Sequence, residues 1–475
     1  MTQSGARSPS YPLLLLTVTL GGILAPLNST MLAVALPELR HDFSVGHASI
    51  GWLISSYLIA MAVAQPLGGR IGDQLGRARV FRVGLVAFLV LSLAAAASPT
   101  FPVLVVLRTG QALVGAAVIP NGMAMLRESL PPDRLGRSIG LNGAVMSFAA
   151  AVGPLIGTAL LAAGSWRLLF LMNAPLVIAS LACLFALRYP EPQAPRRLEL
   201  DWRGALTFGV ALAALTLVLN SLRGDGGLIV LAIGVAGLLG FGALFYRTQR
   251  SSALPVVEWN LFRSRSYAGA TGYVMLSNLV MYTTLVSIPF FIEEVQHKGS
   301  GTSGTLLGAM SILVAVIAPV SGRLSDSLGR KVPTLAGSAI IVVATVMLLA
   351  GLSRDVSYGY LAASLVVLGF GMGLSFGPAS TAAIEAVPAS MAGVAAGTNS
   401  MMRYIGSIVG VGILGAILGG EGSAPAVGLF RAIFAMLAGM SVAGVLAALL
   451  IHHRLPEESE AGLPAGGAIA PAGGT

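Results

Sequence analysis

Gly69, Asp73, Gly76 and Arg77 recur as Gly322, Asp326, Gly329 and Arg330, with the same internal spacing and 253 residues later, in a chain that is 55% hydrophobic and only 10% charged. The two copies read G-R-I-G-D-Q-L-G-R-A-R and G-R-L-S-D-S-L-G-R-K, and each directly follows an apolar stretch of helix length. A repeat of this period in so apolar a chain predicts two copies of one membrane-embedded unit. With a mean hydropathy of +0.85, the sequence has too little polar surface to stay soluble in water.

Polar breaks leave apolar stretches at 12–37, 49–69, 80–97, 101–126, 138–163, 167–188, 204–221, 227–246, 268–292, 303–322, 333–352, 358–382, 392–419 and 427–451. These are fourteen stretches. Each is near the ~20 residues that a helix needs to cross a bilayer. Cytoplasmic loops retain Lys and Arg, and the two residue types set the orientation. With the N-terminus inside, six of the twenty-eight fall outside (Arg40, Arg167, Arg223, Lys298, Arg354 and Arg431), Arg108 and Arg403 lie within stretches, and the other twenty are cytoplasmic. The expectation is a multi-pass protein of the cell (inner) membrane with both termini cytoplasmic.

The net charge of +9 is spread over many short loops, without the clustered basic face of a nucleic-acid binder. Cys183 is the single cysteine and sits in an apolar stretch, so neither an internal disulfide nor a cysteine metal cluster is expected. No motif calls for a cofactor or metal. The first stretch is too long for a removable signal peptide and lacks the small-residue cleavage pattern, so it reads as the first membrane helix.

The register of the repeat extends beyond the tetrad. Gly115, Pro120, Glu128, Pro131, Gly136, Asn142 and Gly153 have counterparts in Gly373, Pro378, Glu385, Pro388, Gly393, Asn399 and Gly410, at offsets of 258 and then 257, and Pro37 matches Pro289 at 252. Small drifts of this kind are what duplicated units with altered loops show. The division is an N-terminal six-helix bundle over 1–188, a linker with two inserted helices over 189–265, a C-terminal six-helix bundle over 266–454, and a Glu-, Gly-, Ala- and Pro-rich tail over 455–475 that reads as disordered. Repeats built in this way are characteristic of secondary transporters, whose substrate site lies between the halves.

Three further motifs narrow the class. The fourth stretch carries R-T-G-Q-A-L-V-G from Arg108, the fifth carries V-G-P-L-I-G from Val152, and W-R-L-L-F-L-M-N-A-P runs from Trp166 to Pro175 at the entry to the sixth. With the duplicated loop, these make the chain resemble the major facilitator superfamily and, within it, the fourteen-helix drug:proton antiporter subfamily, over nearly all of 12–452. The first stretch ends L-N-S-T-M-L-A-V-A-L-P from Leu27 to Pro37, which fits that subfamily's pattern except at Asn28, where an Asp is usual. The resemblance implies an all-α fold of two six-helix bundles related by a pseudo-two-fold axis, with two inserted helices. It also implies that Asp73 faces the start of the thirteenth stretch near Ser390, and Asp326 the start of the fifth near Asp133.

Several residues are candidates for the mechanism. Asp73 and Asp326 are placed to accept hydrogen bonds from the free N–H groups of a helix start in the opposite half, latching the cytoplasmic side. Gly69, Gly72 and Gly76 would permit the tight packing, while Arg77 and Arg79 pair with carboxylates or lipid phosphate; Gly322, Gly329 and Arg330 are the gating counterparts in the second half. Gly153, Pro154 and Gly157 give the fifth stretch a small-residue face with an internal proline, suited either to a rocking interface or to plain tight packing.

Arg108 and Arg403 are cations at membrane depth, where each needs a cavity or a partner. For Arg108, a guanidinium tied to backbone carbonyls to fix helix geometry is the alternative. Candidate cavity residues are Asn28, Tyr57, Arg108, Gln111, Asn142, Met146, Asn278, Tyr282, Asn399 and Arg403, with Phe148 as a further lining group. No Asp or Glu lies in mid-stretch. That leaves Glu128, Glu385, Glu293 and Glu294 at the ends as candidates for proton exchange, with a topological role as the alternative for each.

The function expected is alternating-access, proton-coupled efflux of small amphipathic organic compounds by a monomer in the lipid bilayer. The alternative is a proton-independent facilitator or flippase for an anionic or zwitterionic amphiphile. An enzyme is not expected, since no nucleotide-binding loop, metal cluster or recognisable nucleophile arrangement is present.

Overall fold

The computed structural model describes residues 10–187, 189, 200–222, 227–251, 257–388, 391–418 and 427–452. The tail 455–475, Ser390 and the Asp133 side chain lie outside the described residues. Among the described residues sixteen α-helices follow one another: α1 Tyr11–Gly22, α2 Leu24–Asp42, α3 His47–Leu75, α4 Arg77–Ala96, α5 Phe101–Ser129, α6 Pro132–Ala162, α7 Arg167–Leu171, α8 Asn173–Leu187, α9 Trp202–Ser221, α10 Gly227–Ser251, α11 Arg265–Phe290, α12 Ser300–Leu328, α13 Lys331–Gly351, α14 Tyr358–Glu385, α15 Ala392–Leu418 and α16 Val427–Leu449. Among the described residues, thirteen helical segments are long and apolar enough to cross a bilayer, with α1–α2 and α7–α8 each counting as one. The 31-residue α6 is the fifth crossing of the expected fourteen.

The sequence explains both interruptions. Pro26 has no N–H to offer the carbonyl of Gly22, and Pro175 has none for Leu171, so the helical ladder loosens near Ile23 and near Met172. The second break places Asn173 at the start of α8, with its side chain fully buried.

Packing follows the repeat. Within the N-terminal half α3 and α4 pack on α5, and α2 on α6; within the C-terminal half α12 and α13 pack on α14, and α11 on α15. The halves meet where α6 packs on α12 and α3 on α15, two seams that a two-fold axis exchanges. The inserted α9 lies against both α3 and α15, and α10 packs on α9. Large apolar side chains such as Val83 and Val90 on α4, Leu228 and Ile229 on α10, and Val343 on α13 are exposed on the outside. In water that surface would be costly; in lipid, where helices satisfy their own backbone groups, it is the favourable face.

Candidate substrate cavity and gates

Because the outward faces are apolar, the polar side chains of these helices turn inward. Between the halves they surround a cavity of about 250 Å³. Of the expected lining residues, Tyr57, Met146, Asn278, Tyr282 and Arg403 form its wall, together with Ser29, Ser277, Ser311 and Tyr404, which the sequence reading did not single out. Asn28, Arg108, Gln111, Asn142 and Asn399 do not line it; all are buried in helix packing. Phe148 is 60% exposed on the outer surface, because α6 turns Met146 and Ala150 inward and a residue two positions from Met146 points away.

Asn28, expected in the cavity wall, belongs to a network behind it. Its Nδ2 donates to the Leu24 carbonyl at 2.7 Å and to Asn173 Oδ1 at 2.6 Å, while Asn173 Nδ2 donates back to Asn28 Oδ1 at 3.1 Å and to Ser92 Oγ at 3.2 Å. Gln111 Nε2 donates to the same Ser92 Oγ at 2.6 Å. Arg108 joins through Nη1 to Gln111 Oε1 at 3.2 Å and Nη2 to the Asn28 carbonyl at 3.3 Å, and its guanidinium lies over the Tyr57 ring with the centroid 4.0 Å away. The reciprocal amide pair explains why an Asn is stable at 28: it both donates and accepts, which a carboxylate cannot do. Asn28→Asp is therefore expected to pair with Arg108 and to leave affinity for lipophilic cations unchanged, as measured by ligand titration of the purified protein. Asn142 takes a hydrogen bond from Thr19 at 3.1 Å and contacts the sulfurs of Met123 and Met146, one layer behind the wall.

One end of the bundle is locked across the halves. Glu294, in a π-helical turn Phe291–Val295 that continues α11, binds Arg40 Nη2 at 2.5 Å and His47 Nε2 at 2.9 Å, both from the N-terminal half. Its side chain is only 8% exposed, so this link works in a setting where charge is poorly screened. The His47 ring lies tilted against Phe290 with centroids 5.2 Å apart. Beside the lock, an added Cβ at Gly304 would fall 1.6 Å from Thr158 Oγ1, and one at Gly308 2.6 Å from Leu155, so α12 meets α6 through glycines. The G-x-x-x-G spacing of Gly304 and Gly308 was the readable signal for this contact. Arg40 and His47 gave only the weaker one, of polar residues at the end of an apolar stretch.

Gly153 and Gly157 do not serve that seam. A Cβ at Gly153 would meet Thr30, and one at Gly157 the Met31 carbonyl at 2.8 Å, both on α2 in the same half; what the motif offers α12 is the Pro154 carbonyl, near Gly304. Gly157→Leu is expected to cost roughly 1–3 kcal/mol of stability by overpacking, read as a lowered Tm, in place of the stable but inactive protein that a sliding contact would give.

At the other end, each duplicated tetrad closes an ion cluster within its own half. Arg77 pairs with Asp73 and with Glu128 (3.3 Å), and donates to the Gly69 carbonyl at 3.0 Å. Arg330 pairs with Asp326 at 2.6 Å and with Glu385 at 3.0 Å, and binds Ser325 Oγ at 3.0 Å. Hydrogen bonding to Glu385, ahead of the pull from Asp326, holds Arg330 above its ordinary pKa. Asp73 and Asp326 are thus engaged by arginines one turn away, with side chains 55% and 72% exposed, and among the described residues neither bonds the opposite half. Glu128 and Glu385, expected as proton sites, are the third members of these clusters. Arg79 is exposed. Gly76 and Gly329 end their helices at φ 101° and 77°, which explains the repeated glycine, whereas Gly69 and Gly322 have room for a side chain.

Residues 18–411 match the Major Facilitator Superfamily. The chain is 31% identical over 92% of its length to an uncharacterized MFS-type transporter, YvkA of Bacillus subtilis (strain 168), of which 95% is covered. It is also 31% identical, over 86% of its length, to multidrug resistance protein Stp of Mycobacterium tuberculosis, with 75% of that protein covered. Among solved structures, a D-xylose-proton symporter superposes with a TM-score of 0.68 at 14% identity, over 94% of this chain and 99% of that one. A helical membrane fold of two repeated bundles around a central cavity defines a secondary transporter. This chain belongs to the major facilitator superfamily.

Proposed function

We propose that the protein exports small amphipathic organic compounds across the cell membrane by alternating access, with protons as the coupling ion. By the distribution of Lys and Arg, the Glu294 end faces outward and the tetrad end faces the cytoplasm, and both termini are cytoplasmic. The observation that carries the reading is the cavity itself: it lies between the halves, is shut at one end by a cross-half lock, and reaches through Ile119 and Phe376 toward the end where the ion clusters stay within each half. This is an inward-facing state, ready to load from the cytoplasm. The name of the relative Stp supports drugs as substrates.

We assign proton exchange to Glu294, which Arg40 and His47 hold while the outside is shut; Glu293, Glu38, Asp42 and His41 are the other titratable groups of that end. Protonating Glu294 would weaken the lock from outside, linking entry of a proton to opening. In the outward-facing state, Asp73 and Asp326 are released to latch the cytoplasmic side. The monomer is complete in this scheme, since both gates lie within one chain.

A second reading, export without protons, is favoured by one observation: among the described residues no carboxylate lies on the cavity wall. Proteoliposomes loaded with a fluorescent amphiphile separate the two. Coupled export accelerates several-fold when an inward pH gradient is imposed and acidifies the lumen as substrate leaves; an uncoupled carrier does neither. Absence of any protein-dependent efflux would sink both.

A further inference from the structure

We propose that the cavity selects amphiphiles carrying a negative charge, a carboxylate, sulfonate or phosphate ester, whose head docks on Arg403 while the apolar body lies against Tyr57 and Tyr282. The proposal rests on the transport reading above and narrows its substrate class. Three observations carry it.

First, Arg403 is the single formal charge on the cavity wall among the described residues. Its guanidinium has no hydrogen bond or ion pair there; its one contact of note is the ring of the adjacent Tyr404, 5.1 Å from the centroid. A cation on the cavity wall at membrane depth has no counter-charge among the described residues, and an anionic ligand supplies one. The planar fork of arginine suits carboxylate, sulfonate and phosphate oxygens.

Second, a further cation lies behind the wall. Arg108 lies under the Tyr57 ring, fully buried, with its Nε unpartnered and no carboxylate in its network. Two guanidinium groups therefore give the cavity a positive potential across a low-dielectric wall, which attracts anions and repels cations. Third, the repeat is broken at this place: the counterpart of Arg403 is Met146, on the facing half of the same cavity. The site has one charged pole and one apolar pole, the shape of an amphiphile.

The test uses two fluorescent probes that differ by one sulfonate, 1-anilinonaphthalene-8-sulfonate and N-phenyl-1-naphthylamine. Binding is titrated to protein in neutral-lipid nanodiscs, with empty discs subtracted. Wild type is expected to bind the sulfonate about ten-fold or more tighter than the neutral probe. Arg403→Gln should remove about ten-fold of the sulfonate affinity and leave the neutral probe within roughly two-fold, while Arg403→Lys keeps part of the preference. An equal ratio of affinities in wild type and Arg403→Gln, or no saturable binding of the sulfonate, overturns the proposal. Ala150→Trp fills the cavity from the facing wall and should remove both probes. If it removes the neutral probe while charge makes no difference, the cavity stands and the selectivity falls; if both probes bind unchanged, the cavity is not the binding site and the transport reading falls with it.

Discussion

Glu294→Gln is expected to release the outer lock and shift the protein from inward-facing toward outward-facing. The carboxylate holds two N-terminal groups, at 2.5 Å and 2.9 Å, from a position 8% exposed. An amide keeps the shape but loses two charge-assisted contacts, roughly 2–3 kcal/mol of bias, which changes a two-state ratio by about 30- to 150-fold. Cysteine labelling at cavity positions such as Ser29 should then become possible from outside. Arg40→Gln should act in the same sense and more weakly, because its side chain is 30% exposed and partly screened. Unchanged labelling in both variants would remove the lock from the mechanism.

The second large effect is expected at Arg108. Replacement by Met keeps an unbranched side chain, shorter by the guanidinium end, and removes a buried charge that has no carboxylate partner. Desolvating that charge costs several kcal/mol, against which stand two long hydrogen bonds at 3.2 and 3.3 Å and the ring contact with Tyr57. These terms nearly cancel, so the stability of Arg108→Met should stay within about 1 kcal/mol of wild type. Transport of an anionic amphiphile should nevertheless fall, by up to about ten-fold, because Arg108 acts on the ligand only through its potential behind the Tyr57 ring. Thermal unfolding and vesicle efflux measured on the same preparation decide between roles. A large loss of stability with transport retained would make Arg108 the structural tie that its sequence position equally allowed.

The helices and their duplication were legible because hydropathy and spacing are linear in sequence. So was the place of Arg403 on the cavity wall, since a charge in mid-stretch is expensive wherever the helix turns. What the sequence could not show is which way each polar side chain faces. Asn28 and Gln111 were expected at the cavity and instead meet Asn173 and Ser92 behind it, a network that depends on the break before Asn173 and on the approach of α4 to α5. Ser92 is a small hydroxyl in an apolar stretch and gave no signal. Gly153 and Gly157 were readable as a close contact, but their partner is α2, whereas the glycines of the cross-half seam are Gly304 and Gly308. The tetrads pointed to a gate, yet in this conformation their acids are held by their own arginines. A latch formed only in the opposite state would leave no contact in this one.

Opposed opening and closing of the two ends around a fixed cavity is the behaviour expected of this protein. It is tested most directly by distances between spin labels at both ends, in a background where Cys183 is replaced by Ser. One pair, at His41 and Lys298, spans the locked end; the other, at Arg79 and Ser327, spans the tetrad end, and all four sites are exposed. Without substrate, a short distance is expected at the first pair and a long one at the second. Glu294→Gln should lengthen the first and shorten the second in the same fraction of molecules. Two distances that change in the same sense, or a first pair that lengthens while the second stays fixed, would contradict alternating access in this protein.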